Sequence, residues 1–163
     1  MFSIILAGGK GLRLWPESRQ KKPKQLCKFF NNRSMLNHTI DRLIRSGSTE
    51  IAIVSSEDLR DELQKIISGY PKEIRIEILS EPQGRNTAPA VGLVLARLYE
   101  KNQEEILGIF PADHYVGDEA AFCRSLEKAV RAAENEHIVT IGIEPERPET
   151  GYGYIERTRF EVG

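Results

Sequence analysis

Apolar positions along this chain alternate between two rhythms. Five short runs, FSIILAG (2–8), EIAIVSS (50–56), RIEILSE (75–81), EILGIF (105–110) and HIVTIGI (137–143), are continuous or nearly so and read as buried strands. Between them, apolar residues recur three or four apart: Leu36, Ile40, Leu43 and Ile44, then Leu59, Leu63, Ile66 and Ile67. The same spacing returns at Val91, Val94, Leu95 and Leu98, and at Phe122, Leu126, Val130 and Ala133. It predicts four amphipathic helices with those residues turned to a core. Ser34 is placed to cap the first helix and Gly47 to close it, while Gly69 and Pro71 end the second. The third starts around Thr87–Pro89, where proline is tolerated in a first turn. Strand–helix repetition of this kind predicts an α/β fold: a Rossmann-like, open, mostly parallel sheet with helices on both faces and right-handed crossovers. GYGYIERTRFEVG, from position 151, starts another β-like stretch, so residues 1–163 are expected to be part of a larger domain.

Composition narrows the classes. A chain of 163 residues, 40% hydrophobic and 29% charged, is that of one ordinary globular domain. A net charge of −1 argues against a dedicated nucleic-acid binder, which would be clearly basic. The cations are unevenly placed: Lys10, Arg13, Arg19, Lys21, Lys22, Lys24 and Lys28 crowd one segment. Such a patch on a nearly neutral domain suits a small polyanion such as a nucleotide. No apolar run approaches the roughly 20 residues of a membrane span, and FSIILAG is too short and lacks the charged front of a signal peptide. Cys27 and Cys123 have no partner at zinc or redox spacing, and two ordinary thiols fit a reducing cytoplasm.

In an open α/β sheet, ligands bind beyond the carboxyl ends of the strands. Four unusual segments fall there: AGGKGLR, EPQGRNTAP, PADHY and EPERPETGYGY, after the first, third, fourth and fifth runs. The first is neither a P-loop nor a dinucleotide fingerprint, since Gly11 is followed by Leu12 and Arg13. Its glycines Gly8, Gly9 and Gly11 still permit close backbone approach to a phosphate, and Lys10, Arg13 and Lys24 add charge over a span a triphosphate could cover. The alternative is a solvated strand-to-helix loop. Asp113, just past a strand end, reads either as a Mg²⁺ ligand shared with phosphate oxygens or as a turn aspartate. His114 reads as a neighbour of the site, His38 as solvated, and His137 as a structural residue opening a strand. Asn86 offers the donor and acceptor that a purine edge requires, and the helix start beside it offers free N–H groups. A loop with a good helix start explains the same residues. ERPETGYGY offers carboxylates to sugar hydroxyls, with a surface hairpin as the alternative.

Together the segments resemble a known family. LAGGKGLRLWP with PKQ downstream is similar to the signature of the sugar-1-phosphate nucleotidyltransferases, and EPQGRNTAPA, FPADHYV and ERPETGYGYIE resemble its mannose-1-phosphate guanylyltransferase branch, in order from residue 2 to about 157. The resemblance implies GTP and mannose 1-phosphate as substrates, GDP-mannose and pyrophosphate as products, and Mg²⁺ as cofactor. It makes Arg13 and Lys24 the catalytic cations and Asp113 the metal ligand. Leu6, Ala7, Gly8, Gly9, Lys10 and Gly11 would bind the nucleotide, the glycines and Lys10 at its phosphates, and Gly84, Asn86 and Thr87 its base. Gly151 and Tyr152 would meet the sugar. The family's domain is longer than 163 residues and uses a second metal-binding aspartate and further sugar-binding residues downstream, so the chain is expected to be the nucleotide-binding portion. A binding module without catalysis, or another nucleotide and sugar 1-phosphate pair, stays open, as does a homo-oligomer. Neither nucleic acid nor membrane is expected as a partner.

Overall fold

The computed structural model describes residues 1–9, 16–19, 23–84, 86–99 and 105–156. Four strands form one sheet: β1 (Phe2–Leu6), β2 (Glu50–Ser56), β3 (Arg75–Glu81) and β4 (Leu107–Pro111). All three pairings are parallel and the order is β3-β2-β1-β4. Helices α1 (Met35–Arg45), α2 (Arg60–Ile67), α3 (Thr87–Leu98) and α4 (Glu119–Ala133) fill the intervals, with 3₁₀ turns at Lys24–Leu26 and Glu57–Leu59. Among the described residues no helix is long and apolar enough to cross a membrane.

The continuous apolar runs are explained by burial on both faces. In β1, Ile5 points into a core with Leu36, Ile40 and Leu43 of α1, Leu63 of α2 and Leu126 of α4. Its neighbours Phe2 and Ile4 point the other way, into a second core with Ala90 and Val94 of α3. Alternation along a pleated strand makes this division unavoidable. Three helices thus cover one face and α3 the other.

The ends of α1 follow its sequence. The Ser34 side chain accepts from the Asn37 N–H, and Asn37 reaches back to the Ser34 backbone, a reciprocal cap. Gly47 follows the last turn at φ +87°, a conformation costly for any residue with a Cβ.

Two expectations are corrected. The inward stripe of α3 runs through Ala90, Leu93, Val94 and Leu98, whereas Leu95 is 47% exposed. The small Ala90 side chain allows close approach to the sheet and rotates the buried stripe toward it. The second correction concerns 137–143, which is not a strand; Ile138, Val139, Ile141 and Ile143 are exposed. β propensity describes how side chains fit a pleated surface, but a strand exists only where neighbours take its N–H and C=O groups. None does so here among the described residues, and His137 accordingly opens no strand.

Candidate functional site

The order β3-β2-β1-β4 reverses direction between β1 and β4, and the chain leaves the carboxyl ends of these two strands toward different elements. A crevice is expected at such a switch point. Leu6 pairs with Pro111, and the Ala112 N–H donates to the Leu6 carbonyl at 3.1 Å, so Ala7–Gly9 and Asp113 emerge side by side.

A third segment enters the same place. The 3₁₀ turn Lys24–Leu26 carries Lys24 to Asp113, with Nζ 3.2 Å from Oδ2 and side chains 33% and 38% exposed. An ion pair this open is worth little for stability and leaves both charges accessible to a ligand. Gln25, on the same turn, faces inward. Only 4% exposed, it donates from Nε2 to the Ala7 carbonyl at 2.6 Å and to the Gly9 carbonyl at 3.2 Å. The buried Ser55 hydroxyl donates to the Ala7 carbonyl from β2 at 3.4 Å. His114 is exposed beside Asp113, and His38 lies half-buried with Nε2 3.3 Å from the Phe30 carbonyl.

β3 contributes Glu81. A Cβ added to Gly8 would meet Glu81 Oε2 at 2.7 Å, so the carboxylate lies against the glycine loop and the absence of a side chain at position 8 makes room for it. Beyond β3, Gly84 and Asn86 are exposed and Thr87 is the first residue of α3. Asn86 has φ 69° and ψ −171°, a conformation that is essentially glycine's, and its side chain does not cap the helix.

Gly151 and Tyr152 lie in an exposed turn whose described hydrogen bonds are its own. The Gly151 N–H donates to Glu149 Oε1 at 3.1 Å, and the Tyr154 hydroxyl donates to the Glu149 carbonyl at 3.0 Å. Nothing described ties this turn to the rim formed by Gly8, Lys24 and Asp113. Lys10, Gly11 and Arg13 fall outside the described residues. Gln25 and Glu81 were not singled out from the sequence. Gln25 lies in the PKQ motif and Glu81 opens EPQGRNTAP, but neither was given a role; burial and contact supply it.

Residues 2–161 match the family described as nucleotidyl transferase. The chain belongs to that family. Among curated relatives, "Alginate biosynthesis protein AlgA" of Pseudomonas aeruginosa is 41% identical over 155 residues, 95% of this chain and 32% of its own length. "Mannose-1-phosphate guanylyltransferase" of Salmonella montevideo is 41% identical over 154 residues, 94% of this chain and 32% of its own length. The chain therefore spans about a third of the length of these relatives. A crystal structure from Thermus thermophilus, described as a mannose-1-phosphate geranyltransferase, superposes on this nucleotidyl transferase chain with a TM-score of 0.79 at 36% identity. The match covers 93% of this chain and 43% of the Thermus one.

Proposed function

We propose that this chain is the nucleotide-binding portion of a mannose-1-phosphate guanylyltransferase that joins GMP from GTP to mannose 1-phosphate. The observation that carries the reading is the meeting of Lys24, Asp113 and the glycine loop at the β1/β4 switch point in a nucleotidyl transferase chain. In the reaction, a phosphate oxygen of mannose 1-phosphate bonds to the α-phosphorus. The bridging bond to the β-phosphate breaks, and pyrophosphate leaves with the electron pair. The nucleophile is already an anion at neutral pH, so no protein base is required. Positioning and charge neutralisation remain as the protein's contribution.

Lys24, paired with Asp113, would neutralise the reacting phosphates, with Arg13 joining it by motif position. Lys10 and Gly8, Gly9 and Gly11 would hold the departing phosphates. Asp113 supplies one hard oxygen ligand at a half-open rim, and no group of three His, Cys, Asp or Glu gathers among the described residues. That donor set fits Mg²⁺, which takes one or two carboxylates and completes its shell with water and phosphate oxygens. When bound there, Mg²⁺ would neutralise phosphate charge.

Guanine is favoured by chemistry as well as by relatives. Glu81 brings a carboxylate, with Oε2 nearest, beside Gly8. Guanine offers two adjacent donors, its ring N1–H and its amino group, whereas uracil and thymine show one N–H between two carbonyls. Gly84, Asn86 and Thr87 would complete the base pocket, and Gly151 with Tyr152 would reach the sugar. Two thiols without a disulfide fit a cytoplasmic setting.

Pyrophosphate release with Mg²⁺ across a panel of nucleoside triphosphates and sugar 1-phosphates tests this. Release confined to GTP with mannose 1-phosphate is expected. GTP binding without release for any pair would leave a binding module, which the separate Gly151–Tyr152 turn would explain.

A further inference from the structure

The side chain of Gln25 satisfies two carbonyls at once, Ala7 at 2.6 Å and Gly9 at 3.2 Å, from one buried amide nitrogen. A side-chain amide nitrogen has two hydrogens, and this geometry assigns one to each carbonyl. In a planar trans peptide, the carbonyl and the N–H point to opposite sides. Holding the Ala7 carbonyl inward therefore turns the Gly8 N–H away from the interior. Glycine-rich backbone lacks any intrinsic preference that would keep it so. A peptide plane that flipped would present a carbonyl oxygen, not a donor, to an incoming phosphate.

The donor is itself firmly placed. Pro23 opens the turn and is fully buried, the Leu26 N–H donates to the Pro23 carbonyl at 2.9 Å, and the Cys27 N–H donates to the Lys24 carbonyl at 3.1 Å. The Met35 N–H then binds the Cys27 carbonyl at 3.2 Å, tying the turn to α1. Adjacent residues of one turn thus reach two strand ends: Gln25 the loop after β1, Lys24 the carboxylate after β4.

We propose that Gln25 is a positioning residue that fixes the peptide planes of the Ala7 and Gly9 carbonyls, holding both carbonyls to its side chain so that the Gly8 N–H faces phosphate. The inference rests on the phosphate-binding reading of the loop. It does not depend on which base or sugar the enzyme uses, so inorganic pyrophosphate can serve as the probe alongside GTP.

The test compares wild type with Gln25→Met, which keeps the volume and removes the donor, and with Gln25→Glu. Affinities for Mg²⁺-pyrophosphate and Mg²⁺-GTP are measured by calorimetry between about pH 5 and pH 8, with thermal melts beside them. Gln25→Met is expected to weaken both ligands about tenfold or more. Gln25→Glu carries its own diagnostic. A buried carboxyl facing two carbonyls has its pKa raised, and while protonated it can still donate to one of them. Its affinity should be partly restored at the acid end and fall as the carboxylate forms, relative to wild type at each pH. A role limited to stability would move the melts without this difference in ligand affinity.

Should the variants fail to fold, side-chain amide exchange on the wild-type protein decides. Gln25 Nε2 hydrogens that stay protected when pyrophosphate binds support the proposal, and rapid exchange overturns it. Wild-type protein that binds neither probe would defeat the phosphate-site reading itself. Wild type that binds while both variants match it would defeat the Gln25 inference alone.

Discussion

After β1 the chain passes over two inward-facing donors, Gln25 and Ser55, and its first loop residue, Ala7, is buried. After β3 it runs through exposed Gly84 and Asn86, with Asn86 in a backbone conformation that opposes its own side chain. The first loop is fixed by groups that would be costly to leave unpaired; the second is held at the mouth of α3 against local strain. A phosphate chain is the same in every nucleoside triphosphate, so a preset cradle suits it. In the proposed reading the loop after β3 meets the base, the part of the ligand that differs between nucleotides.

The largest expected effect lies on the fixed side. Asp113→Asn should lower pyrophosphate release with GTP and mannose 1-phosphate by about a thousandfold and blunt its Mg²⁺ dependence. Turnover and metal dependence like those of wild type would remove Asp113 from the site. Next comes Gly8→Ala, whose Cβ meets the Glu81 carboxylate at 2.7 Å. The end of a flexible side chain can swing away, so the melting temperature should move little while the preference for GTP over UTP falls about tenfold. An unchanged preference would detach Glu81 from base reading.

The loop after β3 gives a smaller effect of opposite sign. Asn86→Gly removes backbone strain on the order of 1 kcal/mol and should raise the melting temperature by a few degrees, with weaker GTP binding. A gain in stability with no loss of affinity would make Asn86 a structural accident. The smallest effect serves as a control remote from both loops. Burial raises the Tyr70 hydroxyl to about 12 from an ordinary 10.0. The fold favours its neutral form, so this contribution is whole below about pH 10 and is lost as pH rises toward 12. Alkaline melts of Tyr70→Phe should fall less steeply than wild type over that range, with nucleotide binding at pH 7 unaltered.

Four strands and four helices were legible because their signals are local: runs buried on both faces, stripes at helical spacing, a cap at Ser34 and a stop at Gly47. The rim was legible for a related reason, since the ends of buried parallel strands can be read directly and their loops share one edge. What failed was whatever depended on partners. Residues 137–143 have strand composition and no neighbour among the described residues, and the phase of α3 turned on how closely Ala90 approaches the sheet. Gln25 and Glu81 lay in quoted motifs, but their roles went unassigned for the same cause: those roles come from contact with Ala7, Gly9 and Gly8, which no spacing announces. The roles of Lys10, Gly11 and Arg13 still rest on motif position alone.

The pairing of β1 with β4 also has a consequence in time. These strands lie side by side in the sheet, yet about 100 residues of chain separate them, a long-range pairing of the kind that slows folding. At roughly 5–20 residues per second, a ribosome delivers β4 some 5–20 seconds after β1. Once β2 has paired with one edge of β1, the other edge still presents unpaired N–H and C=O groups until β4 arrives. The β1/β4 switch point and the protection of that edge arrive in the same event, so the nascent chain is exposed to mispairing until the strands that frame the proposed nucleotide site are paired.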